Sequence, residues 1–108
     1  METKAVLAAL AALAQESRLN TFRLLVQTGP QGLAASKIGE KLDIAPSSLS
    51  FHLKELTNAG LIEPRQEGRF IIYSANFDTM NGVLSFLTDN CCGGQSCAPS
   101  TNMNSCKP

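Results

Sequence analysis

A mainly α-helical domain carrying one β-hairpin is the fold class this sequence predicts, on three observations. Apolar residues recur at three- and four-residue intervals up to about Leu56, the periodicity of helices with one buried face. A tight break at Asp43-Ile44-Ala45, followed by Pro46, joins two of these segments. Two strand-like runs, Leu61 to Gln66 and Phe70 to Ser74, then enclose Glu67-Gly68-Arg69, a glycine-containing turn.

The chain has 108 residues with 44% hydrophobic content, enough for one compact core and too little for two. A folded domain over residues 1–90 and a cysteine-rich tail over 91–108 are expected. Nine basic residues balance nine acidic ones, so net charge supplies no general attraction to a polyanion, and any nucleic-acid function must rest on local motif. No apolar run approaches the roughly 20 residues of a membrane-spanning helix, and a soluble, cytoplasmic protein with no membrane partner is expected.

Lys4 precedes an apolar run, Ala5 to Ala14, that ends in the cleavage-like triplet Ala12-Leu13-Ala14. Glu2 offsets Lys4, six of those ten residues are alanine, and Val6, Leu10 and Leu13 recur at helical spacing, so the segment is read as a first helix and not an export signal. A second helix begins near Glu16 or Ser17, with Leu19, Phe22, Leu25 and Val26 on one stripe, and Thr28-Gly29-Pro30-Gln31-Gly32 ends it. A short third helix spans about Ala34 to Leu42. Gly39 within it costs about 1 kcal/mol relative to Ala, which either marks a close approach that a side chain would block or has no packing role. The fourth helix starts at Pro46, where the missing N–H costs nothing, and stops at Ala59-Gly60.

Two helices joined by so short a turn form a helix-turn-helix, whose second member enters the major groove. The hairpin that follows is then a wing. Arg65 and Arg69 flank its tip, where they can meet phosphates or a minor groove, and Pro64 fits only an edge strand. A last helix, about Asp78 to Thr88, carries Met80, Val83, Leu84 and Leu87 on one face. Nothing else in the chain evidently covers that face, so it and the alanine-rich first helix are candidates for a homodimer interface.

A wheel of about 100° per residue over 46–58 groups Leu49, Leu53 and Leu56 inward and sets Ser47, Phe51, Lys54 and Asn58 outward. Ser47, Ser48 and Ser50 can bond base edges or phosphates, Lys54 can neutralise a phosphate, and Phe51 can pack on a thymine methyl. Alternatively, Phe51 covers a neighbouring helix and the serines merely start this one. His52 lies at the edge of the buried stripe and is read as a structural or phosphate-contacting residue, because no second histidine accompanies it as a metal ligand.

The string Ala45-Pro46-Ser47-Ser48-Leu49-Ser50-Phe51-His52-Leu53-Lys54-Glu55-Leu56, with Ala59-Gly60-Leu61-Ile62 and Gln66-Glu67-Gly68-Arg69, resembles the ArsR/SmtB metalloregulatory repressors over about residues 4–90. The resemblance implies a winged helix-turn-helix homodimer, built through its first and last helices. It also implies binding to an inverted-repeat, double-stranded operator, with release when an inducer binds and no cofactor required for DNA binding. Two family patterns are missing. The helix before the recognition helix holds Leu33-Ala34-Ala35-Ser36-Lys37-Ile38, without the cysteines of the best-known arsenic sensors, and the last helix has no His for the zinc-sensing pattern.

All four cysteines instead fall in the last 18 residues: Cys91, Cys92, Cys97 and Cys106. Gly93-Gly94 between the pair and the third gives the chain freedom to bring three sulfurs together. Trivalent arsenic is soft and favours three sulfurs in a pyramid, whereas structural zinc usually takes a Cys-x-x-Cys knuckle and four ligands. Cys91, Cys92 and Cys97 are therefore the candidate site for As(III) or Sb(III), similar to arsenic-responsive family members with cysteines just after the last helix; they lack the zinc knuckle, although Cys106 could supply zinc with a fourth sulfur, and for the metalloid Cys106 is expected to be dispensable. A zinc, cadmium or lead site and a thiol redox switch remain open. In the cytosol the cysteines are expected as thiols. A metal-sequestering module would leave the wing and recognition helix unexplained, and with one His and no nucleophile–base pair in register, an enzyme is not indicated.

Overall fold

Two alanines of the first helix, α1 (Thr3–Leu13), take the inward face with Val6. In the computed structural model of the chain, which describes residues 1–94, Val6, Ala9 and Ala12 are buried, while Leu7 and Leu10 are exposed and Leu13 is half-buried. Val6, Leu10 and Leu13 recur at helical spacing as read from the sequence, but the buried face of the helix is Val6, Ala9 and Ala12. Small side chains let the α1 backbone lie close against the body of the domain, and the bulkier leucines turn outward.

Helix α2 (Glu16–Thr28) is capped by the Gln15 side chain, which accepts from the Arg18 N–H at 2.8 Å. Phe22 and Leu25 are buried as expected, Val26 is half-buried, and Leu19 is exposed, so the stripe is narrower than its spacing suggests. Thr21 is fully buried, and its hydroxyl donates to the Ser17 carbonyl at 2.8 Å, which satisfies the one buried polar side chain among the described residues. Gly29 closes the helix at φ 95°.

The next residues hold an element the sequence did not announce. Leu33–Ala34 form a two-residue strand, β1, that pairs antiparallel with a later strand. So short a strand has no alternation to read. Helix α3 (Ala35–Leu42), helix α4 (Pro46–Asn58), strands β2 (Ile62–Glu67) and β3 (Phe70–Ala75), and helix α5 (Phe77–Thr88) follow, each within two residues of its expected ends. The sheet order is β1-β3-β2. Pro64 accordingly lies on an edge strand, opposite Tyr73.

Leu25, Ile38, Leu56, Leu61 and Ile62 are the largest apolar side chains completely shut from solvent, contributed by α2, α3, α4 and the entry to the hairpin. This core sets the helix-turn-helix and the wing on one body. Helix α5 is capped by Asn76, whose side chain accepts from the Thr79 N–H at 3.1 Å. It buries Val83 and leaves Leu84, Phe86 and Leu87 exposed. Beyond it, Cys91–Gly94 make a 3-10 turn with Cys92 (φ 56°) and Gly93 (φ 68°) in left-handed conformation. No helix among the described residues is long and apolar enough to cross a membrane.

Candidate nucleic-acid interface

The turn between α3 and α4 is shaped by Asp43, a left-handed residue at φ 54°, and closed by the Ile44 N–H donating to the Gly39 carbonyl at 3.0 Å. A Cβ on Gly39 would lie 3.1 Å from the Ile44 carbonyl oxygen and 3.3 Å from a Leu49 methyl. Of the two readings of this glycine, the close approach holds, and its partners are the turn itself and α4. Pro46 takes the first position of α4.

Leu49, Leu53 and Leu56 are buried beneath α4. Ser47, Phe51, Lys54 and Asn58 are exposed, which is the division the wheel assigns, and Ser48 and Ser50 are exposed with them. Phe51 is 54% exposed and meets the His52 ring edge-on, with centroids 5.9 Å apart, so it is not sunk against a neighbouring helix. His52 is half-buried. Its Nδ1 is sealed from solvent with no hydrogen-bond partner, so that nitrogen is not available to DNA or to a metal.

The two wing arginines have different fates. Arg69, just past Gly68 at the tip, is exposed and makes no hydrogen bond or ion pair with another described residue. Arg65 is expected as a second tip contact, but its guanidinium is engaged by protein oxygens. Nε donates to Glu67 Oε2 at 2.6 Å, while Nη1 and Nη2 donate to the Pro30 and Gln31 carbonyls at 3.3 and 2.7 Å. The hairpin register explains this: Arg65 lies opposite Ile72, back from the tip and beside the α2–β1 loop. Phe70, 63% exposed at the tip, escaped the sequence reading because an apolar residue at a strand start is ordinarily taken as core.

Polar and cationic side chains on one free helix face, beside a wing with a free arginine, match the geometry of major-groove reading with flanking backbone contacts. A helix-turn-helix domain family matches residues 13–65. An arsenical resistance operon repressor of Bacillus subtilis (strain 168) is 35% identical over 81 residues, which cover 75% of this chain and 73% of that one. The chain belongs to the ArsR family of transcriptional regulators. Among solved structures, an ArsR-like transcriptional regulator from Rhodococcus sp. RHA1 superposes with a TM-score of 0.68 at 26% identity, covering 78% of this chain and 76% of that one. The homodimeric winged helix-turn-helix DNA-binding domain of Mb0332 from Mycobacterium bovis gives 0.66 at 25% identity, with 85% of each chain covered. Family and fold are those of DNA-binding transcription factors and not of enzymes.

Within α3, the helix before the recognition helix, Ala35 to Ile38 include no cysteine. Cys91 and Cys92 come after α5 with Asp89 and Asn90 between, and Cys97 and Cys106 lie outside the described residues. Cys92 is disulfide-bonded, which departs from the free thiol expected of it. Among the described residues, no group of three His, Cys, Asp or Glu side chains is placed to hold a metal ion.

Proposed function

We propose that this chain is a cytoplasmic, homodimeric repressor of a metalloid-resistance operon, released from its operator when As(III) or Sb(III) is ligated by Cys91, Cys92 and Cys97. The observation that carries the inducer assignment is the position of all four cysteines at or beyond the end of α5, in a relative of an arsenical resistance operon repressor. Ser47, Ser48, Ser50, Phe51 and Lys54 form the reading face, with Arg69 on the wing; His52, half-buried at its edge, would reach DNA only through Nε2. Exposed Leu7 and Leu10 on α1 and Leu84, Phe86 and Leu87 on α5 support a dimer through these helices, as does the homodimeric relative.

Ligation requires the sulfurs reduced. Three thiols then displace the hydroxyls of arsenous acid as water, a step with little net proton release, whereas a divalent ion displaces thiol protons. Because Cys91 lies only three residues beyond the end of α5, ligation there can shift the helix that supports the dimer and so alter the spacing of the two α4 helices. If the metalloid favours the free dimer, operator DNA weakens metalloid binding by the same factor.

The disulfide at Cys92 favours a second reading, in which oxidation itself is the signal. Arsenite, antimonite, zinc and peroxide, titrated separately onto the reduced repressor bound to its own promoter DNA, decide between them. Arsenite or antimonite is expected to release it. Cys91→Ser, Cys92→Ser and Cys97→Ser are each expected to keep operator binding and lose that release, while Cys106→Ser responds normally. Release by peroxide alone would transfer the role to redox sensing.

A further inference from the structure

The wing of this protein is anchored at its surface. Arg65 spans 34 and 35 residues of sequence to reach the carbonyls of Gln31 and Pro30, and it holds Glu67 on the same strand. A guanidinium presents several donors in a rigid fork and suits this arrangement of three oxygens, whereas an ammonium is a point charge. The anchored loop is also fixed from the other side. Gly32 has φ 69°, and a Cβ there would land on the Tyr73 carbonyl oxygen, so the loop presses directly on β3.

Charge adds a second consequence. Glu67 is next to the tip glycine, where an unpaired carboxylate would repel phosphates approaching Arg69. Arg65 lies 2.6 Å from it, with the two side chains 40% and 55% exposed. Exposed pairs of this kind add little to stability, so a stability role does not account for the arrangement.

We propose that Arg65 is the positioning residue of the wing, tying β2 to the α2–β1 loop and neutralising Glu67 so that Arg69 is the cation offered to the DNA backbone. This rests on the reading that the wing meets DNA. Arg69→Ala, measured in parallel, tests that reading by itself: it should lower the salt dependence of operator binding by about 0.9 in log–log slope for each phosphate it no longer neutralises.

The deciding variants are Arg65→Lys, which keeps the charge and removes the fork, and Arg65→Ala with and without Glu67→Gln. Amide exchange of Gln31, Gly32 and Leu33 is followed in the free protein, and operator affinity over a range of salt. Arg65→Lys should speed exchange in the loop and weaken operator binding about 3- to 10-fold with the salt slope unchanged, because the wing is displaced while the number of neutralised phosphates stays the same. Glu67→Gln should restore part of the affinity that Arg65→Ala forfeits. If Arg65→Lys binds like the parent, or Arg65→Ala lowers the slope by about 0.9 per phosphate with loop exchange unaltered, Arg65 touches phosphate directly and the proposal is overturned. Faster loop exchange without any fall in affinity overturns it as well, and a silent Arg69→Ala in the same series would locate the failure in the wing reading.

Discussion

Helix α4 and the wing lie on the same body, yet they are held in place by opposite means. Three leucines from α4 are sunk into the core, while Ser47, Ser50, Phe51 and Lys54 on its outward face are exposed. The wing buries only Ile62 and Ala75 at its two ends, and its middle is exposed on β2 and at most half-buried on β3. Beyond those ends it is held by the short pairing of β3 with β1, by a half-buried Tyr73, by a glycine contact and by a surface guanidinium. Burial therefore secures the reading helix against most surface changes, while the wing can be loosened by one.

The largest effect expected from this contrast is on the side held by burial. Leu56→Ala removes a fully buried side chain at the centre of the core, and a buried Leu→Ala change costs about 2–5 kcal/mol. Thermal unfolding should show that destabilisation, with α4 and the wing melting together. A shift of less than about 1 kcal/mol, below that range, would mean the site collapses without a cavity and α4 is less firmly seated than its burial indicates.

Gly32→Ala should come next and act on the wing alone. The left-handed backbone and the collision with the Tyr73 carbonyl both oppose a side chain, and strained positions of this kind cost about 1–3 kcal/mol. The chain should remain folded, with faster amide exchange in β1 and the loop and weaker operator binding. An equal fall in protection across α4 would show that the two regions are not separately held.

The same contrast explains what was legible in the sequence. The phase of α4 was readable because Leu49, Leu53 and Leu56 have no equally apolar competitors on the opposite face apart from Phe51. The phase of α1 was not, because alanine is compatible with either side and the close approach that selects Ala9 and Ala12 is a tertiary fact. Strand β1 is too short to carry a pattern, and the reach of Arg65 to residues 34 and 35 positions away leaves no periodic trace. Gly32 was legible only as a helix terminator, since its partner Tyr73 is brought in by the hairpin register. The cysteines of the inducer proposal were conspicuous by clustering, but Cys97 and Cys106 fall outside the described residues.

The smallest expected effects on stability, and the most informative about α4, come from its free face. Lys54→Ala should weaken binding to every DNA sequence alike and lower the salt slope by about 0.9 for each phosphate left without its cation. Phe51→Ala should behave differently, because a half-exposed ring that meets His52 edge-on contributes little to the fold, and surface changes of this kind usually stay within about 0.5 kcal/mol. If the ring packs on a thymine methyl, its removal should relax preference at one position per half-site, and a specific base contact is worth roughly 1–3 kcal/mol of discrimination. Measuring affinity for operators substituted singly through one half-site separates the two variants: Lys54→Ala moves the whole profile, Phe51→Ala flattens it at one position. A Phe51→Ala protein that unfolds more easily while keeping its base preferences would place Phe51 among the residues that hold α4, and α4 would then have no reading face separate from its buried one.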